Sequence, residues 1–255
     1  MITAPDCRLP VALHPSPNFG PRRGAGRPDI LLLHYTGMAS CARAIDWLAR
    51  PVSRVSCHYV VDADGSITQM VAEQRRAWHA GVSSWAGETD INSRSIGIEI
   101  HNPGHDHGYP DFPEAQMRAL EALSADIVAR WRIVPARVLA HSDVAPSRKI
   151  DPGEKFDWAR LATAGIGHWV TPVPVDAGDA GLDADAVSSE VRQAQQGLAR
   201  YGYGIAETGT LDRAAMVVVG AFQRHFRPAR VDGRLDRSTL ATLERLLLAL
   251  PQPSG

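Results

Sequence analysis

Two histidines stand directly after separate apolar segments, and both are suited to bind a metal ion. His34 follows a run of Ile and Leu residues, and His141 follows the shorter run Val-Leu-Ala. Two carboxylates, Asp143 and Asp151, lie in the segment that begins at His141. Two neutral imidazoles and one carboxylate leave the fourth position of a tetrahedral zinc ion open, as in hydrolytic rather than structural sites. The sequence therefore predicts a catalytic zinc ion.

A third carboxylate, Glu99, lies within another apolar segment, between Ile98 and Ile100. Burial of a lone carboxylate in a strand costs several kcal/mol unless a charge lies nearby. A metal site in which an attacking water needs a general base provides a reason for such a residue. The alternative is a solvent-facing residue, because alternation along a strand places Glu99 opposite its apolar neighbours.

Lys149 lies two residues before Asp151, which places both side chains on one side of a locally extended loop. A fixed cation close to the scissile carbonyl would stabilise the oxyanion that forms during hydrolysis. We expect the neighbouring Arg148 to face substrate. Most Lys and Arg residues are solvated at the surface, and this is the alternative for both cations.

The hydrophobic pattern predicts the elements that position these residues. Strands are expected at residues 30–34, 95–100 and 138–140, and a hairpin around an Asp-Gly turn at 58–71. Helices are expected at 40–50, with Ser40 as the cap, and at 113–131 and 157–164. Strands and helices alternate, so the predicted fold is α/β, with a mixed central sheet flanked by helices. The loops at one edge of this sheet should bring His34, His141 and Asp151 together.

Changes in composition divide the chain into four segments. Residues 1–28 are rich in Pro, Gly and Arg and predict an arm that packs on the catalytic domain at 29–168. A Pro/Gly/Asp-rich linker follows at 169–184. Residues 185–252 predict a small all-α domain of three helices, two of which begin after the capping residues Asp212 and Asp236.

Composition limits the class of protein. The 255 residues carry a formal net charge of -1, so no global field favours nucleic acid or an anionic membrane. No apolar run is long enough to span a bilayer, and no secretory signal is visible. Three cysteines without metal-like spacing suit a reducing compartment. We expect a cytoplasmic monomer, or a periplasmic protein if a signal segment is missing from this chain.

Five ordered segments between residues 29 and 161 together resemble the N-acetylmuramoyl-L-alanine amidases, the AmpD-type zinc enzymes that cut peptidoglycan. The segments are 33–37, 55–59, 77–81, 95–100 and 141–153. The resemblance implies that His34, His141 and Asp151, which precedes Pro-Gly, bind Zn²⁺. Asp143 then takes a supporting or capping role. The resemblance also implies that Glu99 is the general base, and with it we expect Lys149 to stabilise the oxyanion.

By the same resemblance, the substrate is the amide bond between N-acetylmuramic acid and L-alanine in peptidoglycan fragments, including 1,6-anhydro-muropeptides, for cell-wall recycling or remodelling. Five residues are expected to bind substrate: Tyr35, His79, Trp85, Asn102 and Arg148. Trp85 lies in a polar loop, which favours an exposed ring.

The helical tail resembles a peptidoglycan-binding domain, which suits polymeric wall, whereas the absence of a visible signal segment favours soluble fragments inside the cell. Two other functions remain open from the residues. One is a peptidoglycan recognition protein that binds without cutting, and the other is a zinc peptidase that cuts the stem peptide. Loss of a metal ligand would favour the first, and product analysis would identify the second.

Overall fold

A six-stranded mixed sheet forms the centre of the protein, and the computed structural model describes residues 2–24 and 26–250. The strands are β1 (Ala12–Leu13), β2 (Phe19–Pro21), β3 (Ile30–Tyr35), β4 (Tyr59–Val61), β5 (Ile67–Gln69), β6 (Arg75–Ala77), β7 (Ser95–Ile100) and β8 (Val138–Ala140). The strand order in the main sheet is β1-β5-β4-β7-β3-β8, and β2 pairs with β6 separately.

Eight α-helices complete the described part of the chain. They are α1 (Cys41–Leu48), α2 (Ile91–Arg94), α3 (Glu114–Trp131), α4 (His141–Val144), α5 (Trp158–Thr163), α6 (Ser189–Tyr201), α7 (Arg213–Phe226) and α8 (Arg237–Leu248). The predicted caps form, since the side chains of Ser40, Asp212 and Asp236 accept backbone N–H groups at the starts of α1, α7 and α8. Among the described residues, none of these helices combines the length and apolarity that a membrane crossing requires.

The register of the parallel strands brings the candidate residues to one edge of the sheet. Strand β3 runs parallel to β7 on one side and to β8 on the other. His34 pairs with Glu99, and Leu33 pairs with Ala140, the residue before His141. The carboxyl ends of parallel strands meet at a common edge, so the register alone places both histidines and Glu99 close together.

Both faces of the sheet are buried, which explains the continuous aliphatic run in β3. Leu31 and Leu33 pack with α3 and α5 on one face. Ile30 and Leu32 belong to a second cluster, which includes apolar residues of α6, α7 and α8. The three C-terminal helices thus share a core with the sheet.

The N-terminal arm is tied to the sheet by pairings that its sequence does not reveal. Strand β1 pairs with β5, and β2 pairs with β6. Arg22 also donates hydrogen bonds to the backbone carbonyls of Glu73, Asn92, Ser93 and Ser95. The strands β1, β2 and β6 have two or three residues each and no apolar alternation, so local patterning could not predict them.

Candidate metal centre and active site

Three donor atoms from separate parts of the chain converge at the edge of the sheet. His34 Nδ1 lies 2.9 Å from His141 Nδ1, and the Asp151 Oδ2 atom lies 3.0 Å from His141 Nδ1 and 3.3 Å from His34 Nδ1. All three residues are buried. Ligands about 2.0 Å from a tetrahedral zinc ion lie about 3.3 Å from one another. The donor set therefore fits a single Zn²⁺ ion in type, number and spacing.

The outer ring nitrogens of both histidines have fixed partners. His141 Nε2 lies 3.2 Å from the carbonyl oxygen of Ala80, which can only accept, so this nitrogen carries the proton and Nδ1 keeps its lone pair. His34 Nε2 lies 3.0 Å from His79 Nδ1, and His79 Nε2 lies 3.4 Å from Ser95 Oγ. This series of contacts orients both rings with Nδ1 toward Asp151, as ligating histidines require.

The protonation states also suit a metal. Burial, followed by the neighbouring His141, lowers the pKa of His34 to about 4, so the ring is neutral near pH 7. Burial alone would raise the pKa of Asp151, but contacts with His141 and His34 outweigh it and keep the pKa below its usual range. A neutral imidazole and an ionised carboxylate are the forms that bind a metal.

Glu99 lies beside this cluster without a fixed partner. Its Oε2 atom is buried and forms no hydrogen bond with any described residue. Burial, and then the charge of Asp151, raise the pKa of Glu99 well above its usual value, while Lys149 opposes the rise. A buried carboxyl with a raised pKa, open to a cavity, has the properties of a general base or acid.

A cavity of about 400 Å³ gives access to these groups. Its lining includes Tyr35, Trp78, Glu99, His141, Lys149 and Asp151. This volume falls within the range of about 300–1,000 Å³ that is usual for small-molecule sites. The cavity therefore holds a candidate base, a cation and the potential ligands together.

The predicted substrate-binding residues divide into two groups. Tyr35 and His79 line the cavity, although His79 also contacts His34 and so supports the metal site. Trp85 is only 2% exposed, and its ring packs edge-on against Tyr201 and Tyr203, so the expectation of an exposed ring was wrong. Tyr201 and Tyr203, more than a hundred residues later in the chain, cover the Trp85 ring.

Arg148 and Asn102 also lie elsewhere than predicted. The Arg148 guanidinium donates to the carbonyl oxygens of Ala80 and Val82, and the residue is not part of the cavity lining. The Asn102 amide donates to the Pro110 carbonyl and accepts from the Gly104 N–H, which holds its own loop together. Both side chains form structural contacts with backbone groups and do not face the cavity.

Asp143 lies outside the group of three donors. Its Oδ2 atom accepts the Ala140 N–H at 2.8 Å, which caps the short helix α4. The sequence predicts a supporting or capping role for Asp143, and the structure shows the cap.

The sequence analysis did not predict the contact between His79 and Gly97. A Cβ atom at position 97 would lie 2.5 Å from the His79 ring. Position 97 therefore requires glycine, because the His79 ring occupies the space that a side chain would fill.

Comparison with known proteins decides the family. Residues 24–154 match the family model described as N-acetylmuramoyl-L-alanine amidase, and residues 187–243 match one described as a peptidoglycan binding domain. The amidase AmiD of Escherichia coli K12 is 40% identical over 236 residues, which cover 87% of this chain and 83% of AmiD. The chain belongs to the N-acetylmuramoyl-L-alanine amidase family.

Solved structures of amidases agree with this assignment. A structure of E. coli AmiD, described as a complex with the substrate anhydro-N-acetylmuramic acid-L-Ala-D-gamma-Glu-L-Lys, has a TM-score of 0.73 and 39% identity, covering 89% of this chain and 93% of that one. AmpDh3 from Pseudomonas aeruginosa has a TM-score of 0.74 and 31% identity, covering 99% and 100%. The predicted fold class and enzyme class are confirmed: this amidase cleaves the bond between N-acetylmuramic acid and L-alanine.

Proposed function

We propose that this amidase is zinc-dependent and acts on soluble muropeptides, including 1,6-anhydro forms. The observation that carries the proposal is the convergence of His34 Nδ1, His141 Nδ1 and Asp151 Oδ2 beside a cavity that also contains Glu99 and Lys149. The related AmiD structure is described as holding an anhydro-muropeptide substrate, which supports the anhydro form.

His34, His141 and Asp151 would hold the zinc ion. When bound, zinc supplies a Lewis acid that polarises the scissile carbonyl and makes water at the site more acidic. The orphaned Glu99 Oε2 is consistent with a nearby cation, because this buried oxygen atom otherwise has no partner among the described residues.

The chain's own side chains perform the proton transfers. Glu99 takes a proton from the attacking water, since its carboxyl opens to the same cavity as the donor atoms and a cation held by those atoms would favour its ionised form. Lys149 Nζ forms no ion pair with any described residue and is free to donate to the developing oxyanion. Glu99 then returns the proton to the departing amino group of L-alanine.

The test is product analysis with defined muropeptides. Zinc-loaded protein is incubated with anhydro- and intact N-acetylmuramoyl tripeptides, and the products are identified by mass. We expect a free stem peptide that begins at L-alanine, and none from Asp151→Ala protein. Release of a shorter peptide would identify a stem-peptide peptidase. Binding without cleavage of any substrate would identify a recognition protein. Either outcome contradicts the proposal.

Location and assembly remain predictions. The three cysteines, Cys7, Cys41 and Cys57, are all buried and free, which is consistent with the proposed cytoplasmic location. Fractionation of native cells tests this location against the periplasm, and light scattering tests the proposed monomer.

A further inference from the structure

A buried cluster connects the C-terminal helices to the helix that carries a proposed metal ligand. Asp143 lies in α4, two residues after His141. Its Oδ1 atom accepts the Tyr203 hydroxyl at 2.7 Å, and its Oδ2 atom lies 2.7 Å from His225 Nδ1. Tyr203 follows α6, and His225 belongs to α7. One carboxylate of the amidase domain is therefore bound by two residues of the C-terminal helical region, one after α6 and one in α7.

This cluster is closed to solvent. The side chain of Asp143 is 0% exposed and that of His225 is 2% exposed. The His225 ring is stacked on Trp158 at a centroid distance of 3.7 Å and on Phe226 at 3.8 Å. A buried carboxylate without donors is costly, so Asp143 depends on these partners to stay where it is.

The position of Asp143 affects two of the three proposed ligands. Its Oδ2 atom accepts a hydrogen bond from the Ala140 N–H. Ala140 is the last residue of β8, and His141 is the first residue of α4. The next residue, Ser142, donates its N–H to the carbonyl oxygen of Asp151 at 3.0 Å. Helix α4 thus carries one ligand and holds the backbone of another. A shift of α4 would move both donors.

We propose that Tyr203 and His225 are positioning residues for the metal centre, acting through Asp143 and helix α4. The C-terminal helices are then a part of the catalytic unit rather than only a wall-binding attachment. This inference rests on the proposed zinc dependence. It assigns the tail a function at the active site that does not require it to bind glycan.

The experiment compares two matched substitutions in the full-length protein. Tyr203→Phe removes the hydroxyl that binds Asp143. Tyr201→Phe removes a hydroxyl that lies 3.0 Å from His168 Nδ1, and its ring packs on the same Trp85. The zinc dissociation constant is measured by competition with a chelator of known affinity, at a temperature where circular dichroism shows that each variant is folded.

We expect Tyr203→Phe to raise the zinc dissociation constant about threefold to tenfold, less than the loss of a direct partner of a ligand would cause, because Tyr203 acts through Asp143 and α4. Tyr201→Phe should change it less than about twofold, because its hydroxyl does not contact Asp143. His225→Phe retains a ring for stacking but removes the donor, and it should act like Tyr203→Phe. It serves as the second variant if Tyr203→Phe does not fold.

Unchanged zinc affinity in Tyr203→Phe would overturn the inference. If that variant does not fold, unchanged affinity in His225→Phe would do so. An equal loss of affinity in Tyr201→Phe would also overturn it. If the wild-type protein binds no zinc, the proposed function itself fails. Wild-type binding with unaffected variants contradicts only the role of the C-terminal helices. Activity at saturating zinc provides a further readout, since a positioning role predicts that excess metal restores most of kcat.

Discussion

Replacement of His79 by alanine tests how the metal site is held in place. His79 Nδ1 lies 3.0 Å from His34 Nε2, the ring nitrogen that faces away from the other donors. The His79 ring packs against Gly97 and is only 8% exposed. Alanine would leave the His34 N–H without its partner, and the ring of His34 would no longer be fixed in the tautomer that directs Nδ1 to the metal.

The expected magnitude follows from this geometry. Loss of an outer partner of a ligating histidine weakens metal binding by about 10–100-fold, which corresponds to about 1.4–2.7 kcal/mol. His79→Asn should retain part of the affinity, because its side-chain oxygen can accept the His34 N–H from nearly the same direction.

The assay is a chelator competition that gives the zinc dissociation constant near pH 7.5. The matched control is His58→Asn, which alters another buried histidine of the same region. His58 Nδ1 accepts the Gly97 N–H, and its Nε2 lies 3.0 Å from the Arg75 carbonyl oxygen. Neither nitrogen forms a hydrogen bond with a proposed metal ligand. Wild-type zinc affinity in His79→Ala would refute the reasoning, and so would an equal loss in His58→Asn.

Three further predictions follow from the site. Glu99→Gln should keep zinc and lose about 10²–10⁴-fold in kcat, measured by release of stem peptide, because it removes the base but preserves the shape. Asp151→Ala should abolish zinc retention during dialysis, whereas Asp143→Ala should retain some metal; the opposite result would exchange their roles. Burial, and then the charge of Arg22, lower the pKa of His58 to about 3. The unfolded chain therefore binds more protons than the folded one between about pH 6.5 and 3, and stability falls as the pH falls through this range. At pH 5 the loss from this group is about 2 kcal/mol. Urea unfolding of metal-free protein at pH 7 and 5 should show a loss that is larger by about 2 kcal/mol in wild type than in His58→Asn, since other buried histidines such as His34 contribute equally to both proteins.

The sequence by itself determined the sheet edge and the residues that meet there. The aliphatic run before His34, the short run before His141 and the pattern around Glu99 specify buried strands whose carboxyl ends carry these residues. Patterning works for these elements because burial on a strand or helix repeats with a fixed local period. The caps at Ser40 and Asp212 followed for the same reason, since a cap depends on neighbouring residues only.

Only the tertiary structure decided which polar side chains face the cavity. Trp85 lies in a polar loop, yet Tyr201 and Tyr203 cover it. No pattern in the sequence indicates that His79 lies behind His34 or that Tyr203 and His225 bind Asp143. These contacts join residues that are 45 to 82 positions apart in the chain, and local sequence periodicity does not predict contacts of that separation. Burial of a side chain by distant segments depends on how the helices pack on the sheet, which only the folded chain defines.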